Sequence, residues 1–485
     1  MKYNYIYIGL VFLFLSCKTD ESFKKTDFTK GNAVFSIKIE DPNNSYVKIR
    51  SFGVSKHLDF NEKKDYLDDT KKIIISELTD TIKNITEGYY TFSDRMHACG
   101  FYVKPNTNIH VTLNTRDFIR TIQFTGDHVK ENNYLKDFFL QKRDLGRKMS
   151  IQHLAYLNEK EFIHLLDSIK NIRLDLLAKH NKKQTLDKHF TYLEKNRLFY
   201  EFASRMESYE AYRQYAIQDS TFKVSSTFYN YRKKVEFENE NLIVVPSYHY
   251  YLESYYQKQA NKIAEKDSID VYVSYLNLVG EKVKNKRIKE RLLYSYAIQN
   301  LKDTKNRNNF FTSYNTYAKD SVFVNDVSKR FKEINRLNPG QKAPNFNLPN
   351  IQGEHIKLSD FKGKYVYIDI WATWCAPCVM QMPYLDKLKE KYKDDIVFIG
   401  ISTDGFKGTW EKFLKVNHVK GIQLHAGDDE TFKALYKAQS VPKFLLINPE
   451  GKISTADAPK PSETETIEML FDRIATWNKK KSNKN

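Results

Sequence analysis

Cysteine is scarce in this chain, which has four among 485 residues. A protein held together by disulfides needs a denser set of paired cysteines, so a disulfide framework is excluded. Cys375 and Cys378 stand three positions apart, whereas Cys17 and Cys99 are isolated. Because free cysteine is among the most frequently buried residue types, we interpret Cys99 as an inert core thiol.

Glycine and proline are rare between residues 127 and 337, where only Gly146, Pro246 and Gly280 occur. Both residue types interrupt helices, so their scarcity predicts a helical region over residues 127–337. One apolar stripe with steps of three and four residues is predicted to face its core: Phe162, Leu165, Ile169, Ile172 and Leu176. The tyrosine-rich run at residues 248–256 is either a binding surface or part of an aromatic core.

Long apolar runs are also lacking, except at the start of the chain. The run at residues 6–15 is too short to span a bilayer and follows a basic residue, as in secretory signal peptides. Leu15-Ser16-Cys17 resembles a bacterial lipobox, so residues 1–17 are predicted to be a lipoprotein signal peptide, with the lipid carried by Cys17. The alternative is an uncleaved anchor helix. In either case the bulk of the chain is exported. By resemblance to lipoprotein sorting, Lys18 favours the outer membrane of the cell envelope, facing the periplasm, while Asp20 and Glu21 leave surface display open.

The formal net charge is +18, from 78 lysines and arginines against 60 acidic residues. The basic residues are spread along the whole chain with acids between them, so nucleic acid is not an expected partner. Weak attraction to anionic lipid or to acidic partners stays open. Residues 479–485 are mostly lysine and are predicted to be a disordered basic tail.

Residues 33–126 follow a short polar tether at residues 18–32 and alternate between apolar and polar positions. Alternation with turn residues between the runs predicts a small antiparallel β-domain, similar to a β-sandwich. The strands are predicted at residues 33–39, 45–50, 72–75 and 101–113, the last of these folded into a hairpin.

Cys375 and Cys378 stand where a buried strand at residues 365–371 is followed by a helix predicted at residues 379–393. Free N–H groups and the dipole at a helix N-terminus stabilise a thiolate, so Cys375 is the expected nucleophile. Cys378, one turn further on, is expected to resolve the mixed disulfide. A zinc site would need a second pair of Cys or His with ligand spacing, and none lies nearby. No metal or other cofactor is therefore expected.

Several further segments accompany this pair. They are residues 343–348 and 353–364, an opening hairpin and first strand; Trp371 to Cys375; and Ser440 to Gly451, a proline loop, strand and turn. Together they resemble the thioredoxin superfamily, and within it the TlpA/ResA-like membrane-attached thiol-disulfide oxidoreductases. The resemblance implies an α/β thioredoxin fold over residues 338–478 and a thiol-disulfide exchange activity.

The resemblance also assigns roles to residues around the cysteines. Asp369 stands where thioredoxins carry a buried carboxylate that relays the proton of the inner cysteine; a structural carboxylate bonded to backbone is the alternative. Pro442 matches the family's cis-proline, and the backbone of Val441 would pair with the substrate strand. The residues flanking the cysteines are also assigned to substrate contact: Trp374, Ala376 and Pro377.

Two positions near the cysteines tune the expected chemistry. Many TlpA/ResA-like proteins have a glutamate where this chain has Gln381, which cannot titrate, so Asp369 is the one candidate relay; Gln381 could equally be a solvent-facing helix residue. The Ala-Pro dipeptide between the cysteines resembles the Gly-Pro of thioredoxin, so the potential is expected near about −270 mV and not about −120 mV. This favours a reductase. Pro383 is expected to kink the helix.

The sequence thus predicts an exported, lipid-anchored enzyme that reduces disulfides of periplasmic proteins and draws electrons from a membrane thiol donor. Two alternatives stay open. In one, residues 33–335 bind peptides or proteins and the dithiol is ancillary. The other is a peroxiredoxin-like peroxidase, which is disfavoured because peroxiredoxins carry Thr or Ser three residues before the reactive cysteine, where this chain has Ala372.

Overall fold

A computed structural model describes residues 28–40, 48–51, 77–93, 98–146 and 148–482, together with Thr26. The chain divides into two compact units, Met1–Val324 and Asn325–Asn485. The predicted signal peptide with Cys17 and the strand predicted at residues 72–75 lie outside the described residues. Among the helices that are described, none is long and apolar enough to cross a membrane. The domain boundaries expected near residues 126 and 337 stay predictions.

The first unit begins with strands that form two sheets. The described strands are β1 (Gly31–Glu40), β2 (Lys48–Ser51), β3 (Glu77–Ile85), β4 (Gly88–Ser93), β5 (Ala98–Val103), β6 (Thr107–Asn114) and β7 (Gln123–Gly126). One sheet has the order β3-β1-β6-β7 and the other β2-β4-β5. Side chains of both sheets share one apolar core, which includes Phe35, Ile109, Tyr90 and Phe101. The predicted β region is therefore confirmed.

One strand pair departs from the antiparallel prediction. β1 and β6 run parallel, from Ala33 opposite Thr107 to Glu40 opposite Asn114. Period-two alternation fixes which face of a strand is buried, but it is the same for parallel and antiparallel neighbours. The sequence pattern therefore does not determine whether this pair of strands is parallel or antiparallel.

The rest of the first unit is helical, as predicted. Its described α-helices are α1 (Phe118–Thr121), α2 (Val129–Asp144), α3 (Ile151–Tyr156), α4 (Glu159–Lys183), α5 (Lys188–Ile217), α6 (Pro246–Asp267), α7 (Val271–Lys282), α8 (Lys286–Asn300), α9 (Arg307–Tyr317) and α10 (Ser321–Asn335). The boundary between the two units falls within α10. Side-chain caps mark several helix starts; Asn158 and Glu161 form a capping box at α4, which satisfies N–H groups that have no partner within the helix.

The buried stripe of α4 keeps Phe162 and Ile169 as predicted, but its other three positions lie one residue further along the chain. It comprises Phe162, Leu166, Ile169, Arg173 and Leu177, whereas Ile172 is 40% exposed. The prediction used apolar residues alone, so it could not include Arg173. Arg173 is buried because its guanidinium pairs with Glu201 Oε2 at 2.6 Å and lies over the Phe138 ring.

Two other expectations for the first unit meet the structure. In the predicted tether, Thr26 is buried, and its N–H and hydroxyl donate to the side chain and backbone oxygens of Asn241 at 3.0 and 2.9 Å. This end of the segment is thus packed and not free. In the tyrosine-rich run, Tyr248, Tyr251 and Tyr256 are buried, which supports the core interpretation.

The second unit has a five-stranded sheet flanked by helices. The strands of the second unit as a whole are β8 (Asn347–Pro349), β9 (His355–Lys357), β10 (Tyr365–Trp371), β11 (Ile396–Ser402), β12 (Ile422–His425), β13 (Lys443–Ile447) and β14 (Ile453–Thr455). The helices are α11 (Ala376–Val379), α12 (Met382–Lys391), α13 (Lys407–Val416), α14 (Glu430–Tyr436) and α15 (Thr464–Ser482). The sheet has the order β12-β11-β10-β13-β14, in which β10 is central and buried throughout most of its length.

Each face of this sheet is covered by helices. Ile368 and Ile370 pack on one side with Tyr436 of α14. Tyr367 packs on the other side with residues of α12 and α15, among them Phe471. A central β10 that is apolar on both faces requires such three-layer packing. This is the α/β thioredoxin fold that the resemblance implied.

Two helix ends differ from prediction. The helix after the cysteines consists of two segments, α11 and α12, and Pro383 lies in the first turn of α12, where a missing N–H costs nothing. At the C-terminus α15 continues through Lys479 to Ser482, so the disordered tail predicted from residue 479 is wrong for this part. Lysine is a good helix former, and its charge is favourable at a helix C-terminus.

Candidate active site

The end of β10 leads directly to the cysteine pair. Cys375 caps the N-terminus of α11, and it is joined to Cys378 by a disulfide, so the structure is that of the oxidised form. The Cys378 N–H donates to Cys375 Sγ at 3.2 Å. In the reduced form such a donor stabilises negative charge on the Cys375 sulfur. The predicted pair is therefore brought together as expected, with Cys375 as the sulfur better suited to ionise.

The surroundings of the disulfide are unequal in exposure. Cys375 and Cys378 are only 4% and 2% exposed, whereas Trp374 is 71% exposed. Ala376 and Pro377, also predicted to contact substrate, are exposed as well. An exposed tryptophan beside a buried disulfide offers a large apolar contact area to an approaching polypeptide.

A buried carboxylate fixes the loop that carries the cysteines. Both Asp404 oxygens accept from the Thr373 N–H, at 3.1 and 3.0 Å, and Oδ1 also accepts from the Thr373 hydroxyl at 2.6 Å. Ser402 Oγ donates to Oδ2 at 2.6 Å. Sequence reasoning missed Asp404. The signal was there, because a polar run ends β11 and the carboxyl ends of neighbouring parallel strands lie together.

Asp369 lies in the middle of β10 and is fully enclosed. Its strand neighbours are Gly400 of β11 and Phe444 of β13. Burial raises the pKa of Asp369 to about 7, although the charge of Lys389 acts to lower it. A carboxyl group with this pKa gains and loses its proton near neutral pH, as a proton relay requires.

The proline loop has the expected geometry. The peptide between Val441 and Pro442 is cis, as the resemblance implied. Val441 is half-buried and packs against the apolar cluster that contains Trp371, Cys375 and Cys378. The loop is therefore next to the redox pair.

Two further predicted positions lie in protected surroundings. Gln381 is buried, and its Oε1 accepts from the Ser462 N–H at 2.9 Å, so the solvent-facing alternative is wrong. Gln381 ties the end of the redox motif to the segment before α15. Cys99 is buried in the first unit, and burial raises the pKa of its thiol to about 12. Such a thiol is almost never ionised at neutral pH.

The oxidised pair itself offers no metal ligand, because both sulfurs are bonded to each other. Over the described ranges, from Thr26 to residue 482, no group of three or more His, Cys, Asp or Glu side chains gathers in a way that could hold a metal ion.

Comparison with known proteins places the second unit. Residues 339–456 match the model of the AhpC/TSA family. The thiol-disulfide oxidoreductase ResA of Bacillus cereus is 33% identical over 124 residues, which are 25% of this chain and 71% of the relative. The chain belongs to the thioredoxin-like thiol-disulfide oxidoreductases. Its enzymatic activity is thiol-disulfide exchange.

Two further proteins match this chain over a larger share of their own length than ResA does. The thioredoxin-like protein YneN of Bacillus subtilis is 36% identical over 158 residues, 32% of this chain and 85% of the relative. The solved thioredoxin domain of a thiol-disulfide oxidoreductase from Bacteroides vulgatus is 29% identical and has a TM-score of 0.26; the match covers 28% of this oxidoreductase and 99% of that chain.

Proposed function

We propose that this oxidoreductase is exported, anchored by lipid at Cys17, and reduces disulfides in other exported proteins through Cys375 and Cys378. The N–H of Cys378 that donates to Cys375 Sγ carries the proposal. It supports Cys375 as the entering thiolate and leaves Cys378 as the resolving thiol.

The proposed reaction begins from the reduced pair. The Cys375 thiolate attacks one sulfur of the substrate disulfide, a Cys375–substrate bond forms, and the other substrate sulfur leaves as a thiolate that takes a proton from solvent. Cys378 then attacks Cys375 Sγ. The second substrate sulfur leaves, and the pair is left as the disulfide seen in the structure. Two electrons pass to the substrate, so a thiol donor must reduce the pair again; a membrane thiol protein is the proposed donor.

Asp369 is proposed as the group that receives the Cys378 proton during the second attack. Its carboxyl is buried with a pKa of about 7, so a large share of molecules hold it as a carboxylate at neutral pH. The accepted proton then passes to the leaving substrate sulfur or to solvent. A buried base of this strength is an arrangement typical of general base catalysis.

Substrate contact is proposed for the exposed rim and the proline loop. Trp374 provides an apolar surface, supported by its exposure of 71%, and Ala376 and Pro377 flank it. The backbone of Val441 before the cis Pro442 is proposed to pair with an extended substrate strand. Main-chain pairing would let the enzyme accept substrates of varied sequence.

The test measures reduction of a protein disulfide such as that of insulin. Cys375→Ser should abolish activity, and Cys378→Ser should accumulate substrate on Cys375 as a mixed disulfide. Cys99→Ser is the matched control and should leave the rate unchanged, because the Cys99 thiol is buried in the first unit. Retention of most activity by Cys375→Ser, or trapping on Cys99, would refute the assignment of roles.

The relay role is tested by the pH dependence of resolution. Asp369→Asn should slow the attack of Cys378 at pH 7, and the deficit should shrink as rising pH ionises Cys378 without help. A deficit of the same size at every pH would remove Asp369 from the proton path.

Export and anchoring are tested on the protein expressed in a bacterial host. The mature form should begin at Cys17 with attached lipid, and Cys17→Ala should release the protein from the membrane fraction. A mature chain that keeps residues 1–16 would favour the anchor-helix alternative. The reduction potential of the Cys375–Cys378 pair distinguishes a reductase, near about −270 mV, from an oxidase, near about −120 mV.

The match to the AhpC/TSA family keeps a peroxidase as a second candidate. Ala372 occupies the position where peroxiredoxins have a hydroxyl residue, so the chain lacks that donor to a bound peroxide. Consumption of hydrogen peroxide at a rate similar to that of insulin reduction would favour the peroxidase.

A further inference from the structure

Asp369 has a polar neighbour two strands away on the same face of the sheet. Asp369 lies directly opposite Gly400 of β11, and Gly400 lies directly opposite Gln423 of β12. Direct partners in adjacent strands project to the same face of a sheet. The three positions therefore form one row, and its middle position has no side chain.

The side chain of Gln423 fills the space above Gly400. A Cβ added at Gly400 would lie 2.3 Å from Gln423 Oε1 and 2.9 Å from Nε2. Any residue other than glycine would collide with this carboxamide. The carboxamide thus extends across β11 toward β10, and its oxygen is the atom nearest to the missing side chain of residue 400.

The orientation of the carboxamide is defined by its other end. Gln423 Nε2 donates to the Lys420 carbonyl at 3.4 Å. Gln423 is buried, and its Oε1 has no hydrogen-bond partner among the residues that the structure describes. A buried acceptor without a donor is costly and calls for an explanation, of which a catalytic role is one.

Lys389 of α12 belongs to the same group of side chains. Its Nζ donates to the same Lys420 carbonyl at 2.9 Å. Its charge acts to lower the pKa of Asp369, against the larger effect of burial. On β10 itself, burial and the charge of Asp369 raise the pKa of Tyr367, whose hydroxyl donates to the Pro459 carbonyl. Glu463 also acts on Tyr367, from the segment that precedes α15. Cys378 of α11 is the thiol that the relay serves.

We propose that Gln423 is a positioning residue for Asp369. Once Asp369 has taken the proton from Cys378, Gln423 Oε1 accepts a hydrogen bond from the protonated Asp369 carboxyl. The proposal rests on the relay role proposed for Asp369. In the step concerned, the Cys378 S–H proton moves to Asp369, Cys378 bonds to Cys375 Sγ, and the Cys375–substrate bond breaks. Gly400 is required because only glycine leaves room for the carboxamide.

An acceptor beside the carboxyl favours its protonated form, so removing the acceptor lowers the pH at which Asp369 becomes a base. The probe is an aromatic disulfide that releases a coloured thiol. The first release reports attack by Cys375, and the second reports attack by Cys378. Gln423→Met should lower the midpoint of the pH profile of the second release by about 0.5–1 unit and leave the first release unchanged.

Gly400→Ala is the second variant and should shift the same midpoint in the same direction, because its methyl group displaces the carboxamide. Gln381→Met is the matched control: Gln381 is an equally buried glutamine bonded to Ser462, and its replacement should leave the midpoint in place. Unshifted midpoints in both Gln423→Met and Gly400→Ala would overturn the proposal, as would equal slowing of both releases.

Asp369→Asn separates this inference from the proposed relay. If that variant loses the pH midpoint while Gln423→Met keeps the wild-type profile, the relay stands and the role of Gln423 is refuted. If Asp369→Asn keeps the wild-type profile, the relay is refuted, and the role of Gln423 is refuted with it.

Discussion

Three glutamates of the first unit and Asp369 of the second unit show two contrasting environments for a carboxylate. In the first unit the buried Glu194 and Glu207 and the half-buried Glu201 each pair closely with an arginine. In the second unit Asp369 is buried, and this burial raises its pKa to about 7, with the charge of Lys389 only partly opposing it. The difference between the two kinds of site is therefore the presence or absence of a bonded arginine.

Glu194 shows what full pairing achieves. Arg197 donates to both of its oxygens at 2.7 and 2.6 Å, and the Tyr89 hydroxyl donates at 2.6 Å. The Arg197 guanidinium in turn lies over the Phe138 ring at 3.9 Å. Every hydrogen-bonding need of the charge is met within the core, so the group serves to fix packing.

Glu201 and Asp369 make the contrast in pKa. Burial acts to raise the pKa of both groups, but the Arg173 guanidinium bonded to Glu201 holds the pKa of that carboxyl below its usual value. Among the residues that the structure describes, Asp369 has no bonded arginine, and its pKa is about 7. Enzymes pay in stability for groups like this, which is why strongly shifted carboxyls mark functional sites.

Breaking the pairing in the first unit should give the largest effect. Arg197→Met leaves Glu194 buried without its arginine partner, and the free energy of unfolding of that unit should fall by about 3–5 kcal/mol. Urea unfolding followed by far-UV circular dichroism measures the loss. Arg120→Met, in the exposed ion pair with Asp117, is the control and should cost less than about 1 kcal/mol. Equal losses in the two variants would contradict the structural role of the buried pair.

The second prediction is a gain of stability on mutation instead of a loss. Unfolded Asp369 ionises above about pH 4, whereas the folded group keeps its proton until about pH 7, so the wild type loses stability as the pH rises between these values. Asp369→Asn lacks this loss. Its stability relative to wild type should therefore grow by about 4 kcal/mol from pH 4 to pH 7, since about three pKa units are involved.

Tryptophan fluorescence measures this effect in the second unit alone. The four tryptophans are Trp371, Trp374, Trp410 and Trp477, and all lie beyond residue 324. Urea titrations of the oxidised protein at several pH values give the difference between variant and wild type. A difference that does not change between pH 4 and pH 7 would mean that Asp369 is ionised in the folded protein.

The sequence predicted the parts of the site that depend on a local motif. Cys375, Cys378 and Asp369 belong to one strand-turn-helix segment, and Pro442 to another, so short stretches that resemble the family were enough to select them; their roles stay proposals. Asp404 follows β11 and Gln423 lies on β12, so neither belongs to those two segments. Their contacts depend on which strands are neighbours and in what register, and neither is written in the local pattern.

The same limit explains the misses in the fold. The helical middle region followed from the scarcity of glycine and proline, but the buried face of α4 did not, because Arg173 enters the core only through its contacts with Glu201 and Phe138. Likewise, α15 continues over Lys479 because a helix already held by its apolar face extends easily through good helix formers.

Asp404 adds a third kind of buried carboxylate, held by neutral donors alone, and its disruption should have the smallest effect. Thr373→Val removes the hydroxyl that donates to Oδ1 at 2.6 Å but keeps both bonds from the backbone N–H. One hydrogen bond to a charged group is worth about 1.5–3 kcal/mol, and the loss should lie at the lower end because other donors stay in place.

The loop before Cys375 should loosen, so insulin reduction should slow by a few-fold at every pH tested. Thr409→Val on the exposed face of α13 is the control and should change neither the tryptophan-detected unfolding nor the rate. A pH-dependent slowing in Thr373→Val would mean that Asp404, and not only Asp369, takes part in proton transfer.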